Sequence, residues 1–400
     1  MSKMFTWENQ IFPKRMISLQ KQMSNTGVDV ILLSYSKSIY YFAGTTQPSI
    51  LLITPENYHL IVTRGLEFVR RETWFDPENL GLGRGYEDVS EMLKTWGKGG
   101  GVLGLELDII PTILYFEVSK LFAGFEITDI SNLILEQRKV KDAGEVENIR
   151  EACRIVHQGH LRILDVLREG MTELELSSEI EDAHRRAGDE GQYFIRQFDF
   201  FMGRGIVASG ANLSKIAGKV QSITGVGLSS SIPLGASLKK IQKGEMIVVD
   251  FATYYHGYHS DQSRTYVVGK SPEGCKSIYE GMKEIADRII LFLKPGLRCD
   301  HVYNLAMEFA AELKIKDYFM RLGGSPQKVS FIGHGVGLEL NEPPLLHKNN
   351  REVLKEGNVI TLELEMWKSA GEVVKLEDTI LITSRGAEIL TITPRNLHEV

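Results

Sequence analysis

Apolar and polar positions recur along the chain with two different periods, and the period decides which element each stretch predicts. Met16, Leu19 and Met23 share one face of a helix predicted over 14–25, with Gly27 placed to end it. Residues 28–34 read as an apolar strand, and 49–54 and 59–63 as strands on either side of a turn at Pro55. Helix and strand patterns then alternate: helix 87–96, strand 102–107, helix 111–122, strand 125–128. That alternation predicts a small α/β domain over 1–135. The glycine clusters at 81–85 and 97–101 do not lead from a strand into a helix with GxGxxG spacing, so they read as loops rather than a dinucleotide site.

The pattern changes near residue 140. Asp142 and Glu145 have capping-box spacing before a long apolar-faced helix carrying Val146, Ile149, Cys153, Val156, Ile163 and Val166, expected to end at Gly170. Thr172 and Glu175 repeat the signature for a helix through Arg186. Residues 203–244 are rich in Gly and Ser and read as loops and short strands. Two strands, 246–253 and 260–268, are joined by a turn near His256 and Gly257. Helices at 272–293 and 300–313 and strands at 359–366 and 373–383 follow. The fold class is α+β, with a second domain over 140–400.

Composition narrows the function. Four hundred residues exceed one ordinary core, which fits two domains. A net charge of -6 and the lack of a basic stripe argue against nucleic acid as a partner. No run of 18 apolar residues exists, so no membrane span is expected, and residues 1–10 carry no apolar signal core. Cys153, Cys275 and Cys299 are scattered and odd in number, which fits a reducing cytoplasm.

The chemistry sits where acids interrupt apolar strands. Asp250 follows Ile247, Val248 and Val249, and Asp261 lies in the partner strand. Two facing carboxylates repel unless one is protonated or a cation lies between them. A buried carboxylate needs such a partner. His334 stands between Gly333 and Gly335, where backbone can approach closely and leave the imidazole free. Period two puts Glu363 and Glu365 on one strand face, and Glu377 interrupts another β-type run. Carboxylates with one imidazole are the donor set of a divalent metal such as Mn, Co, Zn or Fe.

In order and context, these residues resemble the pita-bread metallopeptidases, specifically the creatinase, prolidase and aminopeptidase P branch of family M24. The stretch VVDFATYYHGYHSDQSRT is similar to the family's D-x-G…GY-x-x-D-x-T-R-T, GHGVGLELNEPP to GHGVGLEVHE-x-P, and VITLELE…VVKLEDTILIT to VFTIEPG…VRIEDT-x-LVT. The resemblance covers residues from about 140 to the end. VDVILLSYSKSIYYFAG resembles the creatinase/prolidase N-terminal domain. It implies a pita-bread catalytic domain, a creatinase-like N-terminal domain, two divalent metal ions and a homodimer. Asp250 then belongs to one metal, Asp261 and Glu377 bridge both, and His334 and Glu363 complete the second. Glu363 also takes the proton of the attacking water.

Two positions depart from the family. The second histidine expected seven residues after His334 is Asn341, and the histidine expected before the first aspartate aligns with Pro233. Asparagine donates a hydrogen bond but does not exchange a proton near neutral pH. His259, two residues before Asp261 and on its face by period two, is the candidate replacement. His256 and His347 read as exposed. Glu365 stands where the family has glycine, Arg264 reads as orienting acids, and Tyr258 as packing. The leading expectation is a hydrolase of the Xaa-Pro aminopeptidase or prolidase type acting on a small peptide. A pita-bread metalloenzyme acting on another small molecule follows closely, and a binding module without chemistry is third.

Overall fold

The computed structural model describes residues 11–200, 205–321, 323 and 325–400. The N-terminal decapeptide and the first two residues of the 203–244 stretch therefore lie outside the described residues. The chain divides into two compact units between Arg138 and Lys139.

In the first unit, α1 (Ile11–Thr26), β1 (Val30–Leu33), α2 (Ser36–Ala43), β2 (Ser49–Ile53), β3 (Tyr58–Val62), α3 (Leu66–Glu72), β4 (Leu80–Leu82), α4 (Tyr86–Thr95), β5 (Gly101–Leu105), α5 (Thr112–Leu121), β6 (Phe125–Asp129) and α6 (Ser131–Lys139) follow in order. The strands form one sheet in the order β4-β3-β2-β1-β5-β6. Val30, Leu32, Leu52 and Leu103 of the sheet pack against Val89 and Leu93 of α4 and Val118 of α5. The sequence pattern assigns nothing to α2, α3 and α6. α2 is short and rich in aromatics, and becomes a helix because it buries Ile39, Tyr41 and Phe42 together.

In the second unit, Asp142 caps α7 (Ala143–Val166) by accepting from the Glu145 amide at 3.0 Å, while Glu145 accepts from the Asp142 amide. α7 ends before Gly170, because Leu167 turns extended and the Gly170 amide donates to Ile241. Thr172 caps α8 (Glu173–Arg186) in the same way. β7 (Ile206–Ser209), β8 (Met246–Tyr255), β9 (Tyr258–Val267), α9 (Cys275–Phe292), α10 (Cys299–Glu312), β10 (Val359–Ser369), β11 (Glu372–Thr383), β12 (Gly386–Ile389) and β13 (His398–Glu399) complete it. The main sheet runs β10-β11-β9-β8-β7. The β8–β9 hairpin closes on His256 (φ 46°) and Gly257 (φ 88°), a left-handed pair that matches strand twist. Ile247, Val249 and Phe251 pack with Val156, Ile163 and Ile180 of α7 and α8. Leu362, Leu364 and Leu376 pack with α9 and α10. The acids of these strands occupy alternate positions and face the other way.

Candidate metal centre

Four neighbouring strands each bring one residue into a single rank. Asp250 on β8 pairs with Ser263 on β9, Ser263 with Glu377 on β11, and Glu377 with Glu363 on β10. Asp261, opposite Ala252, lies two residues from Ser263 and so on the same face. Neighbouring strands stand about 4.8 Å apart, so the carboxylates crowd one another. Asp261, Glu363, Glu377 and His334 are buried and Asp250 is half-buried.

His334 reaches this rank from a loop pressed against β10. Its amide donates to Thr361 Oγ1 at 3.2 Å, and the Thr361 amide donates to the His334 carbonyl at 2.6 Å. A Cβ at Gly333 would stand 2.1 Å from the Thr361 carbonyl oxygen, and one at Gly335 would stand 2.3 Å from that of Pro343. Only glycine allows so close an approach. Glu342, paired with Gly335 across this loop, is joined to Lys141 at 3.1 Å with both side chains buried. His334 Nδ1 donates to the Gly335 carbonyl at 3.1 Å, which leaves Nε2 with its lone pair, 3.8 Å from Asp261 Oδ2.

The charges are strongly coupled. Burial, then Asp250 and Glu363, push the Asp261 carboxyl well above the usual range. Burial, then Asp261, Glu363 and Asp250, do the same to Glu377. Lys375, two residues before Glu377 and on its face, offsets part of this crowding. Its ammonium lies 2.6 Å from Asp250, 3.1 Å from Glu363 and 3.5 Å from Glu377. Burial disfavours its charge, yet Asp250, Glu377 and Glu363 hold it well above the usual lysine range. The sequence reading missed Lys375, although its same-face spacing from Glu377 was the available signal.

One ammonium does not satisfy the set. Glu377 Oε1 is buried without a hydrogen-bond partner. Ligand atoms of Asp261, His334 and Glu377 lie within 4.8 Å of one another. Two carboxylates and an imidazole nitrogen brought this close together are a donor set that fits a divalent cation.

The five residues read as ligands all line one cavity of about 330 Å³, together with Lys375, Asn341 and His347. Tyr193, Ile195, Ile206, Val220, Phe331 and Leu345 supply much of its apolar wall. The other sequence candidates fall elsewhere. His259 is outside the cavity lining: its Nδ1 donates to the Gly337 carbonyl at 2.9 Å and its Nε2 accepts from the Phe194 amide at 3.3 Å. Period two set the right face, but backbone covers the ring. His256 sits in the hairpin turn, stacked on Tyr255. His347, read as exposed, is half-buried and lines the cavity. Pro233 is half-buried outside it. Arg264 donates to the carbonyls of Glu377 at 2.6 Å and Ser263 at 2.9 Å and to Asp378 at 2.7 Å, so it braces the strands that carry the candidate ligands. Tyr258 donates to Glu145 at 3.1 Å. Glu365, opposite Lys375, accepts from Trp367 Nε1, Ser222 Oγ at 3.0 Å and the Ile223 amide at 3.3 Å. Burial raises its carboxyl to about 6 against the pull of Lys375.

Carboxylates and one imidazole lining a single cavity have the donor types of a divalent-metal site. Residues 147–384 match the model of metallopeptidase family M24, and residues 15–140 match that of the creatinase/prolidase N-terminal domain. The chain belongs to metallopeptidase family M24. It is 28% identical to an Xaa-Pro dipeptidase of Pyrococcus furiosus over 391 residues, covering 96% of this chain and 99% of that protein. Among solved structures, it is similar to an Xaa-Pro dipeptidase from Bacillus anthracis, with a TM-score of 0.82, 26% identity and coverage of 97% and 100% of the two chains. It is also similar to an X-Pro aminopeptidase from Thermotoga maritima, with a TM-score of 0.79, 25% identity and coverage of 96% and 99%. The α+β pita-bread fold with a creatinase-like N-terminal domain is thereby the observed one.

Proposed function

We propose that this chain is a metal-dependent Xaa-Pro peptidase that cleaves the bond before proline in small peptides. The observation that carries the reading is that Asp250, Asp261, His334, Glu363 and Glu377 line one cavity, four of them buried and Asp250 half-buried. Relatives named Xaa-Pro dipeptidase, matched over nearly the whole length, favour a peptide over another small molecule. The apolar walls suit a prolyl ring.

Asp250, Asp261, His334, Glu363 and Glu377 would hold the divalent ions, such as Mn, Co, Zn or Fe, two of them by the family resemblance. Bound there, they would supply an acidified water and polarisation of the scissile carbonyl. Glu363 would take the proton of the attacking water and return it to the prolyl nitrogen as the carbon–nitrogen bond breaks, so that the amine leaves neutral. Asn341 offers its amide N–H to the developing oxyanion and takes no proton in return. His259 positions the Gly337 and Phe194 backbones that flank the cavity. Its two engaged nitrogens place it outside proton transfer.

A panel of Xaa-Pro peptides and length-matched Xaa-Ala controls, given to protein stripped with chelator and reloaded with Mn²⁺, tests the reading. Cleavage confined to Xaa-Pro and dependent on metal is expected. A metal-loaded protein that leaves every Xaa-Pro peptide intact would return the choice to a non-peptide substrate.

No helix among the described residues is long and apolar enough to cross a membrane. The three cysteines are free and buried, which supports a reducing, cytoplasmic setting. The family resemblance supports a homodimer, which light scattering checks.

A further inference from the structure

Two buried residues beside the cage are not candidate ligands themselves, and they face each other. Glu365 on β10 and Lys375 on β11 are partners in the antiparallel ladder, two residues along from the pair Glu363 and Glu377. Period two puts all four side chains on one face of the sheet. Both residues depart from the family motif, which has glycine at position 365 and arginine at 375. Side chains directly opposite one another stand about 5 Å apart at Cβ. The Lys375 ammonium nevertheless reaches diagonally away, to Asp250 at 2.6 Å, Glu363 at 3.1 Å and Glu377 at 3.5 Å. Among the described residues its ion pairs are with these three acids, and none is with Glu365.

Glu365 is correspondingly short of a counter-charge. Its Oε2 accepts from Ser222 Oγ at 3.0 Å and from the Ile223 amide at 3.3 Å, and its Oε1 accepts from Trp367 Nε1. All three donors are neutral, and the residue is only 4% exposed. A carboxylate oxygen accepts two hydrogen bonds, so Oε1 has room for another donor. The segment that Glu365 grips is cavity wall, since Val220, Gln221 and Ser222 line the cavity.

The cage suits an ammonium or divalent ions, but not both at once. Positive charges a few ångströms apart in a buried site repel strongly, and Asp250 and Glu363 cannot give the same lone pairs to each. Lysine carries its charge on a flexible four-carbon stem, so its ammonium can change partners without backbone movement. We propose that Lys375 is a cation with two positions, filling the cage of the metal-free protein and swinging to Glu365 when divalent ions take Asp250 and Glu363. The lysine keeps its proton in both. In the loaded protein it gives Glu365 the counter-charge it lacks and fastens the 220–223 wall. Metal occupancy and the shape of the cavity are coupled through this pair. The proposal rests on the metal-binding half of the peptidase reading and not on the choice of substrate.

A double-mutant cycle on Mn²⁺ affinity tests it, by calorimetric titration of chelator-stripped wild type, Glu365→Gln, Lys375→Met and the double variant. Glu365→Gln should weaken Mn²⁺ binding about tenfold, because the displaced ammonium loses its acceptor. In the Lys375→Met background there is no ammonium to displace, and the same substitution should change affinity by less than about twofold. Unchanged affinity in Glu365→Gln, or an equal loss in both backgrounds, would overturn the proposal and leave the metal centre standing. Crystal structures of stripped and Mn²⁺-loaded wild type require no variant to fold. The ammonium should lie against Asp250 in the first and Glu365 in the second, and an ammonium still on Asp250 beside bound ions would overturn the proposal. A wild type that binds no Mn²⁺ would overturn the metal-dependent reading along with it. The expected cycle without cleavage of any Xaa-Pro peptide would support the lysine exchange and overturn the peptidase reading alone.

Discussion

Lys375 shows how much of the centre depends on one side chain. Three carboxylates share its ammonium, and removing it leaves them buried without a counter-charge. Lys375→Met should destabilise the metal-free protein by about 3–5 kcal/mol, the usual consequence of deleting one partner of a buried ion pair. Denaturant unfolding in EDTA measures this, and saturating Mn²⁺ should shrink the difference. An equal loss with and without metal would contradict the shared-cation account. The candidate ligands stood out in the sequence because an acid after Ile247-Val248-Val249 or after Thr361-Leu362 breaks an otherwise apolar pattern. Lys375 is easily missed, since a lysine in a strand ordinarily reads as solvent-facing and only its same-face spacing from Glu377 points inward. His347 is easily missed too, because loop geometry and not periodicity decides where it points. His259 was misplaced for the opposite reason: strand parity gives a face, but not what covers it.

At the level of elements, the loop around His334 depends on backbone contact. Gly335→Ala must displace either the Pro343 carbonyl or the histidine itself. It should lower metal affinity about 10–100-fold, as disturbing the support of a ligand commonly does. Calorimetric titration of Mn²⁺ into chelator-stripped protein checks this. A second element-level consequence lies on α7. His160 stacks against His157 and lies tilted against His398 of β13, with Nδ1 hydrogen-bonded to Tyr266 at 2.8 Å. Burial, then His398, His157 and Arg264, lower His160 to about 3, and burial lowers His184 on α8 to about 4. Unfolded, these rings protonate near pH 6.5. Between that pH and about 4 the unfolded chain binds more protons, so these groups make stability fall as pH drops. His160→Gln should flatten this acid-side slope in pH-dependent unfolding, and an unchanged slope would remove His160 from the account. Element boundaries followed their signals unevenly. The capping boxes at Asp142 and Thr172 were readable because cap chemistry is local. α2 and α6 were not, because burial and not propensity makes them helices.

For the molecule as a whole, the two-period pattern gave the order of the larger elements. The strand order β10-β11-β9-β8-β7 did not follow from it, since pairing joins segments more than a hundred residues apart. That pairing places Asp250, Glu377 and Glu363 in one rank, which no local pattern reveals. The central claim is that this rank, with Asp261 and His334, holds the metal on which Xaa-Pro cleavage depends. Metal content by mass spectrometry, measured with Xaa-Pro turnover on the same preparations of wild type and Asp250→Ala, tests it most directly. Two divalent ions per wild-type chain are expected, with fewer in the variant and turnover lost alongside them. Asp250→Ala protein with full metal occupancy and unchanged turnover would contradict it.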